Sequence, residues 1–250
     1  MDILSNYILS NKKPKFHSAQ SDVYIYDKYA LKVYKHADKK AEAFYEAMIL
    51  SIIENNKFIT PKIYQVTETT NWTLVMDYFK GDLIADILEQ EGTDLFDEII
   101  RLQVAVNNTT CYLPIRIKEK IKSNIQRNSV LDAKLKAKLV SVANHLVDDN
   151  YLCHGDFHAR NLIRTSEGIA IIDWIDATIG DSIADGCRSY LLYKLHYNTL
   201  ADYYLKTYCN YKNIKTKDLL RILPAVAGTR LSENNENEHS TILEIIRTHL

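Results

Sequence analysis

The sequence predicts an α+β fold in two parts: a small strand-rich part carrying one helix, then a larger and mainly helical remainder. Three observations predict it. Strand-like runs of aromatic and β-branched residues crowd the chain before residue 80, helical periodicity dominates after it, and Gly81-Asp82 punctuates the change. Val23-Tyr24-Ile25-Tyr26 and Tyr29–Tyr34 flank the polar Asp27-Lys28 and read as a β-hairpin. A helix follows from Ala37-Asp38 to about Glu54, with Asp38 as its N-cap and Ala43, Phe44, Ala47, Met48 and Leu50 near a 3.6-residue period. Thr60-Pro61 breaks it. Strands at 63–66 and 72–76 enclose Thr69-Thr70-Asn71, and Gly81-Asp82 caps the next helix. Helices are expected at 82–90, 95–108, 117–127 and 132–148, then a hairpin at 162–164 and 169–172, then helices at 181–196, 199–209, 216–228 and 238–248. The boundary between the parts falls at Phe79-Lys80-Gly81, a short hinge, which gives domains 1–79 and 80–250.

Composition excludes several classes. The 250 residues can bury a core. With 31 basic and 32 acidic side chains the formal charge is −1, so no basic field draws nucleic acid. No apolar run is long enough to span a bilayer, and Met1–Asn6 lacks the basic start of a signal peptide. Cys111, Cys153, Cys187 and Cys209 form no C-x-x-C pair; they suit reduced thiols and a cytoplasmic location.

The chemistry concentrates in His154-Gly155-Asp156-Phe157-His158-Ala159-Arg160-Asn161, followed by Ile171-Ile172-Asp173-Trp174. A loop and a short hairpin bring two carboxylates and an amide into one region. Asp156 can orient a substrate hydroxyl and take its proton. Asn161 and Asp173 offer hard oxygen ligands for Mg²⁺, which together suit phosphoryl transfer. Any one of these residues alone is read more simply as a turn cap.

His154-Gly155-Asp156-x-x-x-x-Asn161 followed by Ile172-Asp173-Trp174 resembles the signature of the aminoglycoside phosphotransferase / choline kinase family, and the resemblance continues through Asp176, Gly180, Asp181 and Asp185. It implies a protein-kinase-like two-lobed fold: a small nucleotide-binding N-lobe with an antiparallel sheet and one helix, and a larger helical C-lobe carrying the catalytic loop and the acceptor site. It also implies Asp156 as catalytic base, Asn161 and Asp173 as Mg²⁺ ligands, and ATP or GTP as phosphate donor. Lys32, in Ala30-Leu31-Lys32-Val33, resembles the phosphate-binding lysine of the kinase strand and needs a carboxylate to position it. Glu42 and Glu46 share a helix face, and Glu46 matches the family pattern better. Leu74–Phe79 resembles the hinge that meets the nucleotide base through its backbone, which adds Asp77 and Phe79 to the binding set. The sequence departs from the pattern at Ser18-Ala19-Gln20-Ser21-Asp22, where a glycine-rich loop would cover the phosphates; Ser21 and backbone N–H groups can substitute.

The acceptor expected by resemblance is a small hydroxylated molecule. A cationic one, such as an aminoglycoside (with antibiotic resistance as a consequence) or choline, favours acidic or aromatic walls. The acidic run 232–238 and the tyrosine-rich segment 190–211 are candidates, although a solvated helix end explains the run at least as well, and plain core or a general tyrosine, lysine and asparagine bias accounts for the tyrosines. Two other functions compete: a kinase-like nucleotide-binding protein without catalysis, and a metal-dependent hydrolase using His154, Asp156 and His158.

Overall fold

The structure, a computed structural model, describes residues 7, 10, 13–18, 20–233 and 236–250. The N-terminal residues read for a signal peptide, Ala19 of the serine-rich loop and Asn234-Asn235 of the acidic run lie outside the described residues. The chain divides into two compact units, residues 1–84 with 162–175, and 85–161 with 176–250.

In the first unit, β1 (Phe16–His17), β2 (Ser21–Tyr26), β3 (Tyr29–Tyr34), β4 (Ile63–Glu68) and β5 (Trp72–Asp77) form an antiparallel sheet in the order β1-β2-β3-β5-β4. Asp27 turns the β2–β3 hairpin at φ 55°, a left-handed conformation that aspartate tolerates better than most residues. Helix α1 (Lys40–Ile53) packs Ala43 and Ala47 against Tyr34 and Leu74. It starts later than expected. Residues 37–39 form a turn and Lys39 occupies the N-cap without a side-chain cap bond, so Asp38 is not the cap. A second correction concerns Asp82. It does not cap a helix but lies in β6 (Asp82–Leu83), paired with β8 (Leu162–Thr165), which in turn pairs with β9 (Gly168–Ile171). A two-residue strand has no periodicity of its own to read.

The second unit is mainly helical. Helix α2 (Ile84–Asn107) is two helices joined at Gly92, whose φ of 70° breaks the path, as the separate expectations at 82–90 and 95–108 implied. Helix α3 is Ile117–Arg127, and α4, Ala133–Ala143, ends five residues before the expected 148. Strands β7 (Tyr151–Cys153) and β10 (Thr178–Gly180) pair antiparallel, and both were missed because three residues carry no readable alternation. Helix α5 (Ser182–His196), capped by Asp181, is buried along most of its length and packs against α6 (Asn198–Lys212) and α7 (Thr216–Arg230). Gly186 on α5 faces the Tyr208 ring of α6 so closely that a Cβ would stand 2.3 Å from it. Helix α8 (His239–His249) closes the unit on α7. Among the described residues, no helix is long and apolar enough to cross a membrane.

Candidate active site

Alternation along β3 turns Lys32 and Tyr34 to the same face, toward α1. Glu46 lies on the apolar stripe of that helix with Ala43, Ala47 and Leu50 and is 1% exposed. Lys32 Nζ donates to both Glu46 oxygens at 2.8 Å and to Asp173 Oδ1 at 2.7 Å. Tyr34 donates to Glu46 Oε2 at 2.5 Å, so the buried carboxylate has partners on both oxygens. Glu42, the rival position, pairs instead with Lys39 at 2.7 Å. Burial alone would lower the Lys32 pKa, but the carboxylates of Glu46 and Asp173 outweigh it and hold the ammonium charged far above its ordinary range. Burial raises the Glu46 carboxyl, and Lys32 opposes that rise.

Asp173 follows β9 in a left-handed conformation, φ 62°. Trp174 anchors this turn. Its indole donates to Ile171 O at 3.0 Å and its ring stacks on Phe58 with centroids 5.6 Å apart. Aspartate is among the few residues with a side chain that visit this backbone region readily.

The remaining expected binding residues of this unit are placed as follows. Ser21 opens β2 and is buried. The turn before it is organised by Ser18, whose Oγ accepts from Ser21 N at 3.0 Å and Gln20 N at 3.3 Å, while Lys35 Nζ donates to Ser18 O at 2.6 Å. The Asp77 carboxylate is spent within the sheet, accepting from Lys62 N at 3.0 Å and Tyr64 Oη at 2.8 Å. Phe79 is half-buried just past β5.

In the second unit the catalytic-loop sequence leaves β7. His154 is fully buried, and its Nδ1 accepts from Asp156 N at 3.2 Å. Gly155 bends the chain at φ 84°, where a Cβ would lie 2.4 Å from Asp176 O, so both conformation and space require glycine. Asp185 of α5 holds the turn by accepting from Gly155 N at 2.7 Å through one oxygen and from Asn107 Nδ2 at 2.9 Å through the other. Ser189 Oγ donates to Phe157 O at 2.7 Å.

Asp156 is held from three sides. His158 Nε2 is 3.0 Å from Oδ2, Asn161 Nδ2 donates to Oδ2 at 3.1 Å, and Arg188 Nη2 donates to Oδ1 at 3.1 Å. Burial would raise this carboxyl, but His158 and Arg188 more than reverse it and keep Asp156 ionised far below the usual carboxylate range. Asn161 also donates to Asp156 O at 2.9 Å. Its amide nitrogen is thus committed, and its oxygen is the atom suited to a hard metal ion. Among the described residues no three His, Cys, Asp or Glu side chains are grouped to hold a metal, so the hydrolase alternative gains no support.

Sequence reasoning missed Tyr34 and the pairing of Arg188 with Glu233. Tyr34 was signalled by its i, i+2 relation to Lys32. Arg188 stands three residues past Asp185 and Glu233 in the acidic run, but 45 residues separate them and no local spacing pairs them. Arg188 Nη1 donates to Glu233 Oε1 at 2.6 Å, and Arg230 holds Glu233 and Glu238 in turn. The acidic run is therefore largely neutralised by arginines. The tyrosine-rich segment is largely core: Tyr190, Tyr193, Tyr204 and Tyr208 are buried, with Tyr204 donating to Gln103 Oε1 at 2.6 Å and Tyr208 to Asn107 Oδ1 at 2.8 Å.

A loop of this composition and a kinase-like sheet with a buried lysine suit a phosphotransferase, and the comparisons with known proteins agree. The family model of the phosphotransferase enzyme family (APH) matches residues 15–221, and the chain belongs to that family. Among solved structures, a thermostable mutant of aminoglycoside phosphotransferase APH(4)-Ia, in ternary complex with AMP-PNP and hygromycin B, superposes with a TM-score of 0.73 at 14% identity over 96% of this chain and 93% of its own. Choline kinase LicA from Streptococcus pneumoniae gives 0.67 at 14% over 95% and 93%, and ADP-bound aminoglycoside phosphotransferase APH(2'')-Ib gives 0.63 at 16% over 98% and 94%. These likenesses show a protein-kinase-like α+β fold. No curated protein matches the sequence.

Proposed function

We propose that this enzyme transfers the γ-phosphate of ATP or GTP to a hydroxyl of a small molecule, with Asp156 as base and Mg²⁺ held by Asn161 and Asp173. The observation that carries the reading is the buried Lys32 ammonium held by Glu46 and Asp173, a cation built to meet nucleotide phosphates in a chain of this family. Residues 1–79 form the nucleotide-binding lobe, with Ser21 and the backbone at Asp77 and Phe79 completing the donor site. Residues 80–250 form the catalytic lobe. The neighbours crystallised with AMP-PNP and with ADP support a nucleotide donor. Four free thiols support a cytoplasmic setting.

The donor sets fit Mg²⁺: Asn161 presents an amide oxygen and Asp173 a half-exposed carboxylate. When bound, the ion neutralises charge on the phosphates. The hydroxyl oxygen attacks the γ-phosphorus, the bond to the β–γ bridging oxygen breaks, and the hydroxyl proton passes to Asp156. A carboxylate as weakly basic as Asp156 accepts that proton late, once the new O–P bond has made the hydroxyl acidic, which suits a loose transition state. Until then its negative charge orients the hydroxyl. Aminoglycosides and amino alcohols are the first acceptors to try. A kinase assay over these, sugars and hydroxy acids, with ATP and GTP in parallel, tests the proposal. A lack of Mg²⁺-nucleotide stabilisation with no turnover of any acceptor would refute it and favour a binding module.

A further inference from the structure

The two oxygens of Asp156 are not equivalent. His158 Nδ1 accepts from Arg160 N at 3.2 Å, so Nε2 carries the ring hydrogen and donates it to Asp156 Oδ2 at 3.0 Å. Asn161 Nδ2 donates to the same oxygen at 3.1 Å. Two donors fill the two lone pairs of Oδ2. Among the described residues, Oδ1 accepts from Arg188 Nη2 alone, at 3.1 Å, and keeps one lone pair. The side chain is not sealed, with 25% of its surface exposed. Arg188 is fixed in turn. Its Nη1 donates to Glu233 Oε1 at 2.6 Å and its Nη2 to Oε2 at 2.9 Å, a two-point fork that sets the plane of the guanidinium. The second hydrogen of Nη2 is left for Asp156. Glu233 stands just past α7 and is held by Arg230, whose own fork closes on Glu238 at 2.7 and 2.8 Å. Arg188 is buried, and its Nε has no partner among the described residues. An unpaired buried N–H costs stability, so the orientation of this side chain is set by its two carboxylates.

We propose that the acceptor hydroxyl is received on Asp156 Oδ1, and that Arg188, clamped by Glu233, is the positioning residue that holds this oxygen in place. The inference rests on the phosphotransferase reading and deepens it. The hydroxyl donates to the lone pair that Arg188 leaves open. As its oxygen bonds to the γ-phosphorus and the bond to the β–γ bridging oxygen breaks, its proton passes to Oδ1, while His158 and Asn161 keep Oδ2. Arg188 stays paired with Glu233 when Asp156 loses its charge, so no buried guanidinium is stranded. Lysine is a point charge on a flexible stem and has no planar fork, so it cannot hold both carboxylates in this geometry. A misplacement of about 1 Å at such a contact costs on the order of 10² in rate.

The test uses the full chain with water as acceptor. Phosphate release from ATP and GTP with Mg²⁺ is followed at saturating nucleotide, and nucleotide affinity is measured by calorimetry. Wild type is compared with Arg188→Met, Arg188→Lys and Glu233→Gln. Loss of Arg188 leaves Glu233 with Arg230, and Asp156 with His158 and Asn161, so no carboxylate is stranded. Arg188→Met and Arg188→Lys should both lower kcat by at least about tenfold, and Glu233→Gln several-fold, with nucleotide Kd unchanged within about twofold. A role in stability alone would lower the melting temperature without this split between kcat and Kd. A kcat in Arg188→Met close to that of wild type, or one restored by Arg188→Lys, would overturn the proposal. In crystals of the wild type with Mg²⁺, ADP and aluminium fluoride, the in-line water should lie about 3 Å from Oδ1; a water bonded to Oδ2 instead would overturn it as well. The crystals decide the matter if hydrolysis is too slow to follow or a variant fails to fold. A wild type that binds neither nucleotide with Mg²⁺ would refute the phosphotransferase reading and the proposal with it, whereas nucleotide binding and turnover indifferent to Arg188 would refute the proposal alone.

Discussion

Asp156 and Lys32 are ionised groups held by opposite charges, and each answers to a different measurement. Asp156→Asn keeps the shape and most bonds of the side chain but removes its basicity and charge. Steady-state kinetics on a turned-over acceptor should show kcat lower by about 10² to 10⁴. Calorimetry should find nucleotide affinity unchanged, since no donor contact is assigned to this residue. The depressed pKa of Asp156 also has a sign. The folded value lies below the unfolded one, so its contribution to stability is complete above about pH 4 and is lost as the pH falls further. Between pH 5 and 8 Asp156 stays ionised, and an acid limb in kcat over that range should persist in Asp156→Glu, because it belongs to another group. Lys32→Met removes the partner of a buried carboxylate. Leaving Glu46 uncompensated should cost about 3–5 kcal/mol. At about 2–4 °C per kcal/mol for a chain of this size, thermal unfolding should fall by roughly 6–20 °C. Adding Glu46→Leu should restore much of the loss, since it removes the stranded charge.

Elements matter through the close approaches they permit. Helix α5 carries Asp185, Arg188 and Ser189, which hold the catalytic loop at Gly155 N, Asp156 Oδ1 and Phe157 O. Its position against α6 depends on Gly186, where any Cβ meets the Tyr208 ring. Tyr208 is fixed by its bond to Asn107, which also holds Asp185, so the ring cannot move away without disturbing the support of the loop. Gly186→Ala should therefore destabilise by about 1–3 kcal/mol in a denaturant melt and lower kcat as well. An equal substitution at Gly92, where a Cβ has open space, should cost only backbone strain and leave kcat alone. This support network was partly legible. Asp185 closes the run that resembles the family, but its partners Gln103 and Asn107 lie 82 and 78 residues away on a helix whose sequence shows only an amphipathic pattern. Short strands β6, β7 and β10 were illegible for a related reason: two or three residues carry no period, and long-range pairing alone makes them strands.

At the scale of the whole molecule, ligand binding is the test. Mg²⁺ with a nucleotide should stabilise the wild type by about 2.7 kcal/mol at a hundred times Kd. If both residues hold the ion as proposed, Asp173→Ala and Asn161→Ala should each abolish the Mg²⁺ dependence of that stabilisation, read as a melting shift with and without the ion. A Mg²⁺ effect that survives in either variant would remove that residue from the ligand set. The sequence by itself determined the α+β class and the family and pointed to the loop and lysine of the candidate site, because those residues are marked by local spacing: five positions from Asp156 to Asn161, one turn of helix separating Glu42 from Glu46. Only the tertiary structure decided that Tyr34 joins Lys32 on Glu46, that Glu233 pairs with the Arg188 that holds Asp156, and that the acidic run is largely spent on arginines. Each of these depends on side chains far apart in the chain, and charges acquire meaning only from the partners that folding gives them.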